Sequence, residues 1–392
     1  MKLTWHTADL RLAQPLRISR SVMARRDAVW AVVEHGGLRG WGEAVSSEHL
    51  GLPTARILHH LAAARAATER FPDPETAWAE TGRPGEGGAW HGLPPGVLAA
   101  LEAAVLDLVG KRADRPAHRL LYPDPGAGQV PLAGADPGAV GGPLAGADPG
   151  AGQGPAVATA RTIGITGPAE AAALAARLTA AGFTVLKVKA GHPDPAEDLA
   201  RVEAVHAAAP GAGLLLDPNG AWTERRARDL LPRFAALGVT AVEQPVAPGS
   251  PDSLARVAAD SPVPVIADED AVSYEDAVAL AGRVHGVNVK LAKCGGVRAA
   301  LRIHAALRGT GTDLMLGCLT ASSLGIAPAV HLAGRARWVD LDGHLLLADD
   351  PWTGIGGADG TVRASGRPGL GVRRVTGGGG VRNRRADAVD PR

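Results

Sequence analysis

Six ionisable residues recur at nearly even spacing through the middle of the chain, each near the end of a short apolar run. They are Lys187 and Lys189 in LKVK, Asp217 in LLLDPN, Glu243 in AVEQP, Asp268 in VIADED and Lys290 in VNVKLAK. From Lys189 the steps to Asp217, Glu243, Asp268 and Lys290 are 28, 26, 25 and 22 residues. Each step is the length of one strand followed by one helix, so the residues hold the same place in successive units. In a closed parallel barrel such places converge on one mouth, where the sites of that architecture lie. The spacing predicts one pocket holding a metal ion between opposed lysines.

From about Ala160 onward strand and helix signals alternate eight times. The strands read RTIGIT, FTVLKVKA, GLLLDPN, VTAVEQP, VPVIADE, VNVKLAK, DLMLGCLT and RWVDLDG. Pro168 opens one helical stretch and Gly182 follows it, the expected order of a helix start and stop. Thr223 and Ser273 stand where N-caps belong. Eight rounds imply an α/β chain whose parallel sheet closes into a barrel. Residues 1–124 read differently: LTWHTADLRL, DAVWAVVEHG and GLRGWGEA suggest an antiparallel meander, followed by helices near 53–70 and 94–112. That is the pattern of a separate α+β module.

Between the two modules, residues 125–157 are expected to form a linker or surface loop. PLAGADPGA occurs there twice, at 131–139 and 143–151, and its Gly, Pro and Ala cannot build a core. The barrel is assigned to 158–350, a segment returning to the first module to 351–372, and a disordered tail to 373–392.

At 392 residues the chain has room for a barrel and a second module, and 46% hydrophobic residues can fill their cores. With 41 Lys+Arg against 40 Asp+Glu, bulk charge gives no reason to expect nucleic acid or a membrane surface as partner. The N-terminus lacks an apolar signal region and no run reaches the ~20 apolar residues of a membrane span, so a cytoplasmic location is expected. Cys294 and Cys318, both read as strand residues, are expected to be reduced.

Alternation along a strand puts Lys187 and Lys189 on one face, which in a barrel strand is the interior. An unpaired ammonium there is expensive, so a solvated lysine pair at a strand end is the simpler reading of that motif alone. Three acids on the next three strands change the balance. Asp217, Glu243 and Asp268 make an oxygen donor set for a hard cation such as Mg²⁺. Lys290 lies on the sixth strand and Lys189 on the second, diametrically opposite in a ring of eight. Two amines on opposite sides of one carbon can remove a proton from one face and return it to the other. Cationic neighbours and burial are expected to lower both lysine pKa values towards working pH, and Lys187 to add positive charge. Asp340 and Asp342 in WVDLDGH share a face by the same alternation and suit a substrate ammonium, unless they merely cap the loop that follows. They are read as too far along the chain to join the metal site.

The ordered set KxK, Asp, Glu, Asp-Glu and NVKLAKCGG resembles the enolase superfamily, muconate-lactonizing-enzyme subgroup. GWGEA, GCLTASSLGIAPAVHLA and ADDPWTG…PGLGV extend the likeness over nearly the whole chain. The resemblance implies a modified (β/α)7β TIM-like barrel under an N-terminal α+β capping domain, and commonly a homo-oligomer. That superfamily uses a Lys or His base with Mg²⁺ stabilising an ene-diolate. It implies Asp217, Glu243 and Asp268 as ligands of one Mg²⁺, Lys189 and Lys290 as the acid/base pair, and Lys187 as their helper at the carboxylate. DLDG resembles the signature of dipeptide epimerases, in which the acids, here Asp340 and Asp342, hold the dipeptide's ammonium. Thr162 and Asn219 would touch substrate, and loops near Arg20 and Ser46 to Gly51 would close over its side chain. Arg20 there would favour an acidic side chain, as in L-Ala-D/L-Glu.

DPNGAW stands where the family often has DANQGW, and GCLTAS where it often has GCMxES; neither change removes a ligand or a lysine. No His–Asp pair stands on strands seven and six, which argues against the mandelate-racemase subgroup. The expected activity is Mg²⁺-dependent epimerisation at the C-terminal residue of a dipeptide by 1,1-proton transfer. Alternatives are an N-acylamino-acid racemase, o-succinylbenzoate synthase or muconate cycloisomerase. Further off are a non-catalytic metal- or metabolite-binding barrel and a Schiff-base aldolase.

Overall fold

The computed structural model describes residues 1–81, 88–121 and 154–375. The PLAGADPGA repeat and the tail beyond residue 375 lie outside them. The chain opens with the expected meander: β1 (Lys2–Ile18), β2 (Ser21–His35) and β3 (Leu38–Val45) pair antiparallel in that order. The β1–β2 register shifts between Arg11 and Leu16, the stretch holding Pro15, which has no N–H for the ladder. Helices α1 (Thr54–Glu69) and α3 (Pro95–Arg112) match expectation, while α2 (Pro74–Thr81) and α4 (Ala117–Leu121) are additional. The GWGEA motif acquires a physical reason here. Gly40 and Gly42 share a face, and a Cβ on either would lie 2.0 Å from Ala104 O or 1.9 Å from Ala100 O. Without side chains at those places, α3 lies directly on β3.

After β4 (Ala156–Ala158) come β5 (Arg161–Ile163), α5 (Pro168–Ala180), β6 (Val185–Lys189), α6 (Pro195–Ala208), β7 (Gly213–Asp217), α7 (Glu224–Ala236) and β8 (Val239–Glu243). The run continues with α8 (Pro251–Asp260), β9 (Val265–Ala267), α9 (Tyr274–Leu280), β10 (Gly286–Lys290), α10 (Leu291–Cys294), α11 (Val297–Leu307), β11 (Asp313–Gly317), α12 (Ser323–Val330) and β12 (Trp338–Asp340). Strands β5 to β12 form one eight-stranded sheet in sequence order. Ala160 N–H donates to Val339 O at 2.8 Å, tying the first strand's entry to the last strand. This is the eight-stranded, TIM-like barrel, and the meander with its helices caps it. Thr223 caps α7 by accepting from Arg226 N, and Ser273 caps α9 reciprocally with Asp276.

Two expected boundaries differ. Ala156 and Val157, read as linker, belong to β4, which pairs with β14 (Thr361–Arg363) so that Val157 faces the buried Val362. Arg373 and Arg374, read as tail, form β15 against β13 (Trp352–Thr353). Both strands are too short to show alternation among so many glycines and prolines. The cysteines differ too: Cys294 ends helix α10 and Cys318 follows β11. Both are free, and burial raises both thiols, Cys294 to about 12. Among the described residues no helix is long and apolar enough to cross a membrane.

Candidate active site

Leu215, Ala241, Ile266 and Met315 form an apolar layer of their own, with Trp338 packed against it. It fills the inside of the barrel, while Leu214, Leu216, Val242, Val265 and Val339 belong to the larger core between strands and helices. Asp217, Glu243, Asp268 and Asp340 each stand two residues beyond a member of the inner layer. Period-two alternation turns them inward, one layer nearer the mouth. All four are buried.

Going round the sheet, the order is Lys189 on β6, Asp217 on β7, Glu243 on β8, Asp268 just after β9 and Lys290 on β10. The three acids occupy the arc between two lysines that are four strands apart. Lys187 Nζ lies 3.0 Å from Asp217 Oδ2 and 2.6 Å from Glu243 Oε2. Lys189 Nζ lies 2.5 Å from Asp217 Oδ2, and Lys290 Nζ 2.7 Å from Asp268 Oδ2.

Three further side chains at this place went unread in the sequence. Lys293 Nζ donates at 2.6 Å both to Asp268 Oδ1 and to its backbone O. Asn288 Nδ2 donates to Glu243 Oε1 at 2.8 Å. Gln244, at φ 37°, accepts from the N–H of Asp268 and of Asp270, fixing the loop that carries Asp268. The motif NVKLAK contains two of the three, but reading it as unbroken strand gave Lys293 no inward direction; the backbone turns helical at Leu291.

The expected lowering of the lysine pKa is overturned at Lys290, and Lys187 beside it moves the same way. Burial does depress Lys187, yet Asp217, Asp340, Glu243 and Asp268 together outweigh it and hold the ammonium well above its ordinary range. Lys290 is likewise raised, because Asp268 and Glu243 outweigh burial. Glu243 is pushed up to about 7 by burial first and by the nearby Asp217 second.

The last strand joins this cluster rather than standing apart from it. Closure of the barrel brings Asp340 Oδ2 to 2.8 Å from Lys187 Nζ, the ammonium that also meets Asp217 and Glu243. Asp340 Oδ1 is buried and has no hydrogen-bond partner. Asp342 lies beyond the strand and accepts from Arg161 Nη1 at 3.0 Å and Thr162 N at 2.8 Å. Arg161 too went unread.

A cavity of about 740 Å³ joins this cluster to the cap, lined from below by Thr162, Lys189, Asn219, Lys290 and Asp342 and from above by residues around Arg20 and Ser46 to Leu50. Asn219, at φ 49°, takes the left-handed backbone that Asn tolerates, and its N–H donates to Asp217 Oδ1 at 2.9 Å. Arg20 reaches the cavity, but its guanidinium pairs with the buried Glu269 at 2.7 Å and donates to Asn219 O at 3.2 Å.

The donors suit a hard divalent cation. Three buried carboxylates end consecutive strands, and a single cationic atom, Lys187 Nζ, already lies within 3.0 Å of both Asp217 and Glu243. Ammonium groups lie among the acids, and among the described residues no three acids, histidines or cysteines converge on one point. Binding an ion would require Lys187 to yield its place between the two acids.

The Enolase C-terminal domain-like family matches residues 170–374. Over 374 residues, 95% of this chain and 98% of the relative, the sequence is 33% identical to the hydrophobic dipeptide epimerase of Roseobacter litoralis. It is 26% identical over 381 residues to the L-Ala-D/L-Glu epimerase of Bacteroides thetaiotaomicron, covering 96% of this chain and 88% of the relative. The solved dipeptide epimerase of Methylococcus capsulatus, complexed with Mg and L-Arg-D-Lys, shares the fold with a TM-score of 0.79 at 29% identity, over 95% of this chain and 99% of that one. The Enterococcus faecalis V583 enzyme, complexed with Mg and L-Leu-L-Tyr, gives 0.79 at 26% identity over 95% and 98%. Barrel, cap and the order of lysines and acids had already pointed one way, and these likenesses make it definite: the chain is an isomerase of the enolase superfamily.

Proposed function

We propose that this chain is a Mg²⁺-dependent dipeptide epimerase, inverting the α-carbon of the C-terminal residue. One observation carries the reading: three buried acids lie on the arc between Lys189 and Lys290, which approach a common space from opposite strands. Asp217, Glu243 and Asp268 would hold the metal, with Lys293 and Gln244 fixing Asp268. When bound, Mg²⁺ supplies positive charge beside the substrate carboxylate and so favours loss of the neighbouring α-proton. One lysine, in its neutral amine form, takes that proton at Nζ, and the opposite lysine, as its ammonium, delivers another to the other face of the carbon. Lys187 adds charge beside the carboxylate. The substrate ammonium is assigned to Asp340, whose Oδ1 lacks a partner, and to Asp342; Thr162 and Asn219 line the same space.

The expected taste for an acidic C-terminal side chain is not carried forward. Arg20 is neutralised by Glu269, so a neutral side chain suits that wall. The test is a dipeptide library in D₂O with Mg²⁺, followed by mass spectrometry. Deuterium should enter one α-position of some members and stop entering on chelation of the metal. Absence of exchange throughout the library would end the proposal. An N-acylamino-acid racemase would take substrates without an ammonium, which two acids at Asp340 and Asp342 repel. The double change Asp340→Asn/Asp342→Asn should therefore abolish dipeptide turnover without creating turnover of N-acyl amino acids.

A further inference from the structure

The cavity is lined by seven lysines and arginines: Arg20, Arg25, Arg26, Lys187, Lys189, Lys290 and Lys293. Six have a carboxylate within salt-bridge distance. Arg20 has Glu269, Arg25 has Asp9 and Asp27, and the four lysines have the acids of the barrel mouth. Arg26 is the exception among the described residues. Its guanidinium donates from Nη1 to Ser46 O at 2.5 Å and from Nη2 to the thioether of Met23 at 3.0 Å. A thioether is a weak acceptor. The Nε is buried and has no hydrogen-bond partner. Arginine carries five N–H donors and cannot shed its charge, so a guanidinium left in this state on a cavity wall is short of an anion.

Its place in the cavity limits which anion. Arg26 pairs with Leu10 in the β1–β2 ladder, and the residues after Leu10 meet the segment just beyond β12, the strand that carries Asp340 and leads into Asp342: Leu12 bridges to Leu347, and Arg11 O accepts from Ala348 N at 2.8 Å. Arg26 therefore belongs to the wall assigned to the substrate ammonium, whereas Arg20 and Glu269 form the wall beside Asn219. We infer that Arg26 receives an anionic side chain on the N-terminal residue of the dipeptide, a carboxylate being the group whose two oxygens match its planar fork. This rests on the dipeptide reading above and adds a charge preference at the residue that is not inverted. A latch holding β2 to the Ser46 loop explains the Nη1 bond but leaves the charge without a carboxylate.

The experiment compares L-Glu-L-Leu with its neutral isostere L-Gln-L-Leu, with L-Ala-L-Leu as a reference, by α-proton exchange in D₂O with Mg²⁺. The native protein should favour the Glu dipeptide over the Gln dipeptide by at least about tenfold in kcat/KM, the scale of one charge-assisted contact. Arg26→Gln should erase the ratio while leaving L-Ala-L-Leu within a few-fold, and Arg26→Lys should keep part of it. Equal rates for Glu and Gln dipeptides in the native protein, beside measurable turnover of L-Ala-L-Leu, would overturn the inference and leave the epimerase reading intact. So would a ratio that survives Arg26→Gln. Exchange with no dipeptide at all would remove the epimerase reading itself, and this inference with it. The native-protein ratio needs no variant, so a poorly folding Arg26→Gln still leaves a decision.

Discussion

Buried carboxylates in two parts of this molecule are treated in opposite ways. At the barrel mouth, burial pushes Asp217 up, but Lys187 and Lys189 outweigh it and hold the carboxyl far below its ordinary range. Lys290 and Lys293 outweigh burial at Asp268 in the same way. At the seam between cap and barrel, Glu43 on β3 accepts from Trp30 Nε1 and Ser322 N, both at 2.8 Å, and from the Ser322 hydroxyl. Glu102 on α3 accepts from Arg298 N at 2.9 Å. There burial wins, and both glutamates are pushed up to about 7. The mouth keeps its charges by importing cations; the seam keeps its hydrogen bonds by discouraging charge. Glu243 and Asp340 stand between the two patterns, because both share Lys187 with Asp217 and burial raises both. The contrast separates residues whose charge the proposed chemistry would use from residues that hold the two modules together.

The largest effect that tests this division is at the lysines. Lys189→Ala and Lys290→Ala should each reduce epimerisation by about 10³-fold, within the usual range for losing a general acid or base. Their residual behaviour should differ. Each variant should still exchange the α-proton of one epimer, that facing its remaining lysine, and the two variants should retain opposite epimers. Chiral chromatography after incubation in D₂O reads this directly. Retention of the same epimer by both would place the amines on one side and break the mechanism.

The seam should respond to pH instead. A glutamate with a folded pKa of about 7 in place of the ordinary 4.5 binds more protons folded than unfolded between those values. Its contribution to stability is present below 4.5 and is lost as pH rises through 7. His118 and His331 oppose this trend. Their stacked rings, Nδ1 to Nδ1 at 3.2 Å, are pushed down to about 4 by burial first. They contribute stability above the ordinary 6.5 that is lost as pH falls through 4. The double variant Glu43→Gln/Glu102→Gln leaves the histidines unchanged, so its difference from the native protein isolates the glutamates. Relative to the native protein the variant should gain a few kcal/mol between pH 5 and pH 8, read from urea midpoints. A difference independent of pH would mean the seam glutamates are ionised like the acids of the mouth.

The sequence revealed the mouth better than the seam for a reason of chemistry. A barrel interior rejects polar side chains except at strand ends, so Asp217, Glu243, Asp268 and Lys290 stand out from apolar runs. Partnerships are harder to read, because they depend on closure. Asp340 meets Lys187 across 153 residues, and Glu269 reaches Arg20 across 249. No local pattern announces either pairing. Glu43 was visible inside GWGEA, but nothing near it in sequence signalled Ser322 as its partner. Lys293 was hidden by one misjudged boundary, where strand β10 gives way to helix α10. Thr223 and Ser273, by contrast, were legible because a helix cap is a contact within four residues.

The smallest predicted effect belongs to such a cap and supplies a reference for the other two. Ser273 Oγ accepts from Asp276 N at 3.1 Å, and Asp276 Oδ2 accepts from Ser273 N at 2.9 Å and Val272 N at 3.1 Å. Ser273→Ala removes one half of this reciprocal pair and should cost about 1 kcal/mol of stability. The cap begins only a few residues after Asp268 and Glu269, yet Ser273 does not line the cavity. Its loss should lower the urea midpoint equally at pH 5 and pH 8 and leave both lysine-dependent exchange rates unchanged. A fall in exchange rate would mean that α9 helps to hold the Asp268 loop. Mouth and periphery would then be mechanically coupled, and the separation of charge-bearing from structural residues would have to be drawn further out than the barrel wall.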